Sequence, residues 1–162
     1  MISPITPFLW FDGQAEEAAK FYCAIFARSK ITAVMPGPGG KAMTVAFTLA
    51  GQPFVALNGG PQFRFTEATS FVVTCRDQGE IDRYWAALTA DGGQESRCGW
   101  LKDRFGLSWQ VVPKGLGALL AVPAAMQAML QMNKLDLPAL EAAAGVKRRA
   151  PKKKVAARRK GR

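Results

Sequence analysis

A pattern that occurs twice constrains this chain more than any other feature. Displaced by 63 residues, Phe8 falls on Phe71, Leu9 on Val72, Glu17 on Glu80, Lys20 on Arg83, and Phe21-Tyr22 on Tyr84-Trp85. In both copies an apolar run of strand character leads into an amphipathic helix and then into further strands. Repetition of this kind predicts one supersecondary unit used twice, each copy needing the other to cover its apolar surface.

In the first copy, Ile5 to Phe11 is expected as a strand. Asp12 is placed to cap the next helix, and Glu16 and Glu17 sit where carboxylates favour the helix dipole. Ala15, Ala18, Ala19, Tyr22, Ile25 and Phe26 recur at helical spacing, which predicts a helix over Gln14 to Phe26. Strands over Ile31 to Met35, Met43 to Leu49 and Pro53 to Asn58 complete a βαβββ unit, interrupted by the PGPGG loop at 36–40. Asn58, before two glycines, reads as a turn residue.

The second copy opens with a strand over Ser70 to Cys75 and a helix capped by Asp77, with Ile81, Tyr84, Trp85 and Leu88 on one face. It closes with the hairpin Cys98 to Pro113, whose turn, Asp103 to Gly106, lets Gly106 take a positive φ. Beyond it, Gly115 and Gly117 loosen the chain. Pro123 opens a helix bearing Met126, Met129 and Leu130, and Asp136 caps a last helix, Leu137 to Ala144. The fold class is α+β: paired βαβββ modules over residues 1–114, a helical extension over 115–145 and a basic tail over 146–162.

The formal charge of +10 belongs to that tail. Ten of the 22 Lys/Arg lie in it (Lys147, Arg148, Arg149, Lys152, Lys153, Lys154, Arg158, Arg159, Lys160 and Arg162), and the other 12 balance the 12 Asp/Glu. Small and cationic, it is expected to be disordered. Lacking aromatic residues, it is expected to make weak, salt-dependent, nonspecific contact with nucleic acid. Three cysteines without a CxxC read as reduced thiols, which places the protein in the cytoplasm. No signal peptide and no bilayer-spanning apolar run is read, so no membrane partner is expected. The absence of histidine removes the commonest general base and metal ligand together.

Strand alternation divides the sheet residues into two sets. Phe8, Trp10, Phe71, Val73, Trp109 and Val111 are uniformly apolar and are expected beneath the helices. The opposite set runs Pro7, Leu9, Phe11, then Ser70, Val72, Thr74, then Ser108, Gln110, Val112. Apolar walls with a few hydroxyls and one amide suit a small-molecule pocket. The candidate ligand-binding residues are Phe11, Ser70, Thr74, Trp100, Ser108 and Gln110, although the pattern leaves the direction of Trp100 open. Ser70 and Gln110 either read a ligand or hydrogen-bond each other or water. No nucleophile–base pair is present, so no residue is assigned as catalytic. Cys98, near Lys102 and Arg104, is the thiol with the most cationic neighbours.

FLWFDGQAEEAAKFY, SFVVTCRDQGEIDRYW and CGWLKDRFGLSWQVVP resemble the PhnB-like branch of the vicinal oxygen chelate superfamily, which includes glyoxalases, ring-cleaving dioxygenases and bleomycin-resistance proteins. The resemblance spans about residues 3–145. It implies the glyoxalase/bleomycin-resistance/dioxygenase fold, with the two modules curled into an incomplete barrel.

Members of the branch often carry the name 3-demethylubiquinone-9 3-methyltransferase, which implies methyl transfer. Here the first strand is followed by Asp12-Gly13-Gln14, not by a glycine-rich loop of the kind that holds such cofactors. Metal-using members of the superfamily take four ligands from the first and last strands of the modules. The corresponding positions resemble Pro7, Ser70, Gln110 and either Val55 or Ala56, a poor set for a divalent transition metal. No metal and no cofactor is therefore expected.

The leading expectation is a metal-independent protein that binds or sequesters a small molecule. The alternatives are an enzyme, either lyase-like or the family-named methyltransferase, and a polyanion-binding protein acting through its tail. The uncharged stretch Pro123 to Met132 adds the expectation of a homodimer.

Overall fold

The computed structural model describes residues 5–146, so the expectations for the tail, Lys147 to Arg162, lie outside the described residues. In chain order the elements are β1 Phe8–Phe11, α1 Ala15–Ile25, β2 Lys30–Pro36, β3 Ala42–Leu49, β4 Gln52–Asn58, β5 Ser70–Cys75, α2 Gln78–Thr89, β6 Gln94–Glu95, β7 Trp100–Lys102, β8 Ser108–Pro113, α3 Leu116–Leu120, α4 Pro123–Leu130 and α5 Leu137–Ala143. They build two open four-stranded sheets, ordered β1-β4-β3-β2 and β5-β8-β7-β6. In both, the module's first strand pairs in parallel with its last, and the remaining pairs are antiparallel. The two βαβββ modules read from the repeat are present.

Local chemistry explains most boundaries. Asp77 caps α2, its carboxylate accepting the Glu80 N–H at 2.9 Å, and Asp136 caps α5 through the Ala139 N–H at 2.8 Å. Asp12 does not cap α1. The first N–H of that helix, Ala15, is taken by Asn58 Oδ1 at 2.9 Å, while Asn58 Nδ2 donates to the Ala42 carbonyl at 2.8 Å. Asn58 is thus a brace between the end of β4, the start of α1 and the start of β3 rather than a turn residue. The short helix α3 was not expected, because Gly117 reads as a breaker; it lies inside that helix.

The helix-covered faces meet in one core. Tyr22 of α1 and Phe26, which follows its last turn, reach across to the second module. Tyr22 lies 5.5 Å from the Trp109 ring, and Phe26 stacks on Trp109 at 5.4 Å and on Tyr84 of α2 at 5.3 Å. Phe54 of β4 meets Phe71 of β5 at 5.2 Å, joining the two sheets. Tyr22, Ile81, Leu88 and Val111 are fully buried.

The face assignment was right for the second module and inverted in β1. Trp109 and Val111 lie beneath the helices as expected. In β1, however, Leu9 and Phe11 are the buried pair and Phe8 is 60 % exposed. The cause is a slip of one residue between strand and helix. At an offset of 63, Ala18 and Tyr22 match Ile81 and Trp85, all buried. The strands match at 64: the Phe11 carbonyl accepts from Gly59 N–H as the Cys75 carbonyl accepts from Lys114 N–H. A slip of one residue exchanges the faces of a strand.

One buried carboxylate ties the modules together. Asp103, 3 % exposed, begins the β7–β8 turn. Its Oδ2 accepts from Tyr22 Oη and from Trp109 Nε1, both at 2.8 Å. Its Oδ1 accepts the backbone N–H groups of Phe105 at 2.9 Å and Leu107 at 3.1 Å. Burial raises the carboxyl's pKa against the pull of these four donors, and it also lifts the Tyr22 hydroxyl well above the ordinary tyrosine value, helped by the neighbouring Asp103 charge. Tyr22 therefore keeps the proton it donates. Gly106, at φ +84°, supplies the left-handed residue the turn needs. Asp103→Asn, which turns an amide N–H₂ toward donors, is expected to lower folding stability by about 3 kcal/mol. Tyr22→Phe is expected to lower it by about 1–2 kcal/mol. Urea unfolding followed by tryptophan fluorescence measures both.

Candidate functional site

The pairing of β7, β8 and β5 settles which side chains share the open face. Ser70 pairs with Ser108, Val72 with Gln110 and Thr74 with Val112. Trp100 pairs with Gln110, and Lys102 with Ser108. Side chains paired in register lie on the same side of the sheet, so Trp100 lies on the same face as Gln110. Five of the six candidate residues (Ser70, Thr74, Trp100, Ser108 and Gln110) therefore share one face. Phe11 does not join them. It is buried on the covered face, edge-on to Phe65 at 5.2 Å and to Phe105 at 6.0 Å.

Gln110 is already engaged on this face. Its Nε2 donates to Ser70 Oγ at 2.9 Å, and both side chains are half-buried. This is one of the two alternatives the sequence left open. Ser108 is fully buried, and its hydroxyl has no hydrogen-bond partner among the described residues. Across the junction, β1 and β4 contribute Phe8 and Trp10, with Val55 and Leu57 as their register partners.

A metal centre of the superfamily type does not fit this set. The Ser70 hydroxyl, which accepts from the Gln110 amide N–H, and the neutral Gln110 carbonyl oxygen are a weak ligand set for a transition metal. Among the described residues no group of three or more Cys, Asp or Glu side chains could hold one.

Two clefts lie at the module junction. The first, about 460 Å³, opens where the β3–β4 turn meets the end of β5 and the start of α2. Phe26, Phe54, Phe71, Tyr84 and Trp109 wall it, and Thr74 and Val72 stand at its edge. Its ionic groups, Arg76 and Glu80, satisfy each other: Arg76 Nε and its backbone N–H each donate to the Glu80 carboxylate at 2.8 Å. Those bonds hold the Glu80 carboxyl down at about 2. The second cleft, about 380 Å³, lies at the opposite end, between the β7–β8 turn and the end of β1.

Burial lifts Cys75 to about 11 and also raises Cys23. Cys98 Sγ lies 3.7 Å from the Met129 carbonyl, against the C-terminal helices.

Thr74, a candidate from the sequence, lines the first cleft; its aromatic walls were not anticipated, because Phe26 and Tyr84 read as helix core. Gln110→Leu is expected to cost about 0.5–1.5 kcal/mol, because it leaves a half-solvated Ser70 hydroxyl free to bond water. A melting-temperature comparison checks this.

The model of the 3-demethylubiquinone-9 3-methyltransferase family matches residues 3–112. No curated protein matches the chain. Among solved structures, a PhnB protein from Bacillus cereus is 34% identical, covers 68% of this chain and 99% of its own, and superposes with a TM-score of 0.64. A protein from Pseudomonas aeruginosa, 22% identical, covers 69% of this chain and 98% of its own with a TM-score of 0.59. The fosfomycin resistance protein FosX from Mesorhizobium loti, at 13% identity, shares the fold over 75% of this chain and 99% of its own, with a TM-score of 0.57. With the repeated βαβββ modules and open sheets described above, these matches assign the chain to the PhnB-like, 3-demethylubiquinone-9 3-methyltransferase-named family of the vicinal oxygen chelate superfamily.

Proposed function

We propose that this protein binds a small, flat, mostly apolar molecule without a metal, in the first cleft at the module junction. The observation that carries this reading is the wall of five aromatic rings around about 460 Å³. That volume lies within the ordinary range of ligand pockets, and ring faces reward flat apolar guests. Arg76 and Glu80 neutralise each other at the rim, so the cleft as a whole selects no strong charge. Binding or sequestration asks only for shape and apolar surface, both of which are present. Methyl transfer by a nucleotide-like cofactor is commonly served by a glycine-rich loop between a first strand and its helix; here β1 runs into α1 through Asp12-Gly13-Gln14 and β5 into α2 through Arg76-Asp77, neither of them glycine-rich.

Native mass spectrometry of protein purified from its own host tests the proposal. A retained neutral molecule, lost on Thr74→Trp, is the expected result. Thr74 is exposed at the cleft edge, so the larger ring fills the space while leaving the melting temperature within a few degrees. A stoichiometric metal, or a ligand retained equally by the variant, would count against it.

We also infer a homodimer. Phe8 is 60% exposed and Val72 56% on the open faces, and Leu130 is 42% exposed on α4. Apolar surface of this kind marks an interface. Light scattering at micromolar concentration is expected to give twice the chain mass. Phe8→Glu and Leu130→Glu, made separately, are expected to identify the face used, since only the change at the interface releases the monomer.

A further inference from the structure

The two clefts occupy equivalent places in the repeat. Each lies between the closing hairpin turn of one module and the C-terminal end of the other module's first strand. The first cleft is apolar with a self-neutralised ion pair; the second has kept aromatic walls and acquired cations. Trp10, Phe63, Phe65 and Phe105 line it, and Trp10 and Phe63 pack edge-on at 4.9 Å. Arg64, Lys102 and Arg104 line it too, against the single carboxylate of Asp12.

These cations are available to a ligand to different degrees. Among the described residues Arg64 makes no ion pair. Lys102 bonds Glu67 at 2.6 Å, and Arg104 bonds Glu17 at 2.9 Å and Asp91 at 3.2 Å. All three acids are exposed and stand outside the cleft lining. Ion pairs with solvated partners contribute little and yield to a better-placed anion. Arg104 Nε is buried without an acceptor, and the guanidinium lies over the Phe21 ring at 4.6 Å and the Phe105 ring at 5.0 Å. Stacked in this way, Arg104 is held in position even when a counter-ion leaves.

We propose that the second cleft is a binding site for a planar aromatic carboxylate, its ring held among Trp10, Phe63 and Phe105 and its carboxylate by Arg64 and Lys102. The site is separate from the first cleft and does not depend on the function proposed for it.

The test is calorimetric titration of the full chain at low ionic strength with 2-naphthoate and with its neutral analogue 2-naphthalenemethanol, in the wild type and in Thr74→Trp. In Thr74→Trp, naphthoate is expected to bind and the alcohol to bind at least tenfold more weakly. Arg64→Gln with Lys102→Gln is expected to weaken naphthoate about tenfold or more without changing the melting temperature. Phe63→Ala, which removes an exposed ring, is expected to weaken it as well. Lys30→Gln with Lys41→Gln removes the same charge outside the cleft and is expected to leave the affinity unchanged, which separates the cleft from general attraction to a basic chain. Three results overturn the proposal: no naphthoate binding below millimolar concentration, equal binding of the alcohol in Thr74→Trp, or an equal loss in the Lys30/Lys41 control.

Discussion

The carboxylate of Asp103 is the point on which the two halves of this molecule agree. It accepts from a helix of the first module (Tyr22), a strand of the second (Trp109) and the turn in which it sits (Phe105 and Leu107). A buried carboxylate is tolerable only when its lone pairs are used, and four donors use them. The consequence reaches past the turn. Fixing Tyr22 against Trp109 sets the distance between α1 and the second sheet, and Phe26 then stacks between Trp109 and Tyr84. Those three rings are also walls of the first cleft. The polar anchor and the apolar site are thus one construction: the bond that aligns the modules also shapes the space between them.

Much of this architecture was legible in the chain. The repeat announced two βαβββ units because Tyr22 and Trp85 do the same work in both helices, and Asp77 and Asp136 announced their helices because a cap needs only its own N–H groups. What could not be read is what depends on partners remote in sequence. Asp103 read as a turn residue, since nothing local says that a tyrosine 81 residues earlier will donate to it. Asn58 caps a helix that began 43 residues before it. The faces of β1 were inverted because the helix alignment was extended through a connection that is one residue longer in the first module. Strand faces follow parity, so an error of one residue reverses them completely, whereas a helix only turns by about 100°.

The candidate site shows the same division. Pairing brought Ser70, Thr74, Trp100, Ser108 and Gln110 to one face, as alternation within the second module implied. Alternation is reliable inside a strand. It says nothing of how modules dock, and docking created both clefts. Phe26 and Tyr84 read as core because a helical aromatic usually is core. They are core on one side and cleft on the other, a distinction that neither helical period nor strand alternation carries.

Duplication supplies a reason for the clefts to differ. Two copies of one unit packed head to tail leave two equivalent gaps, and a structure that must fill or use both is free to give each its own chemistry. Here the β3–β4 turn bears Ala50 and Gly51, small and uncharged, whereas the β7–β8 turn carries Arg104 and Phe105 beside the buried Asp103. The anchoring carboxylate of the second turn holds Tyr22 and Trp109 by hydrogen bonds, and the next residues, Arg104 and Phe105, line the second cleft. On the open face, by contrast, the Gln110 amide donates to the Ser70 hydroxyl. The two clefts of the module junction thus differ in chemistry, and the turn that borders the second is the one built around the buried aspartate.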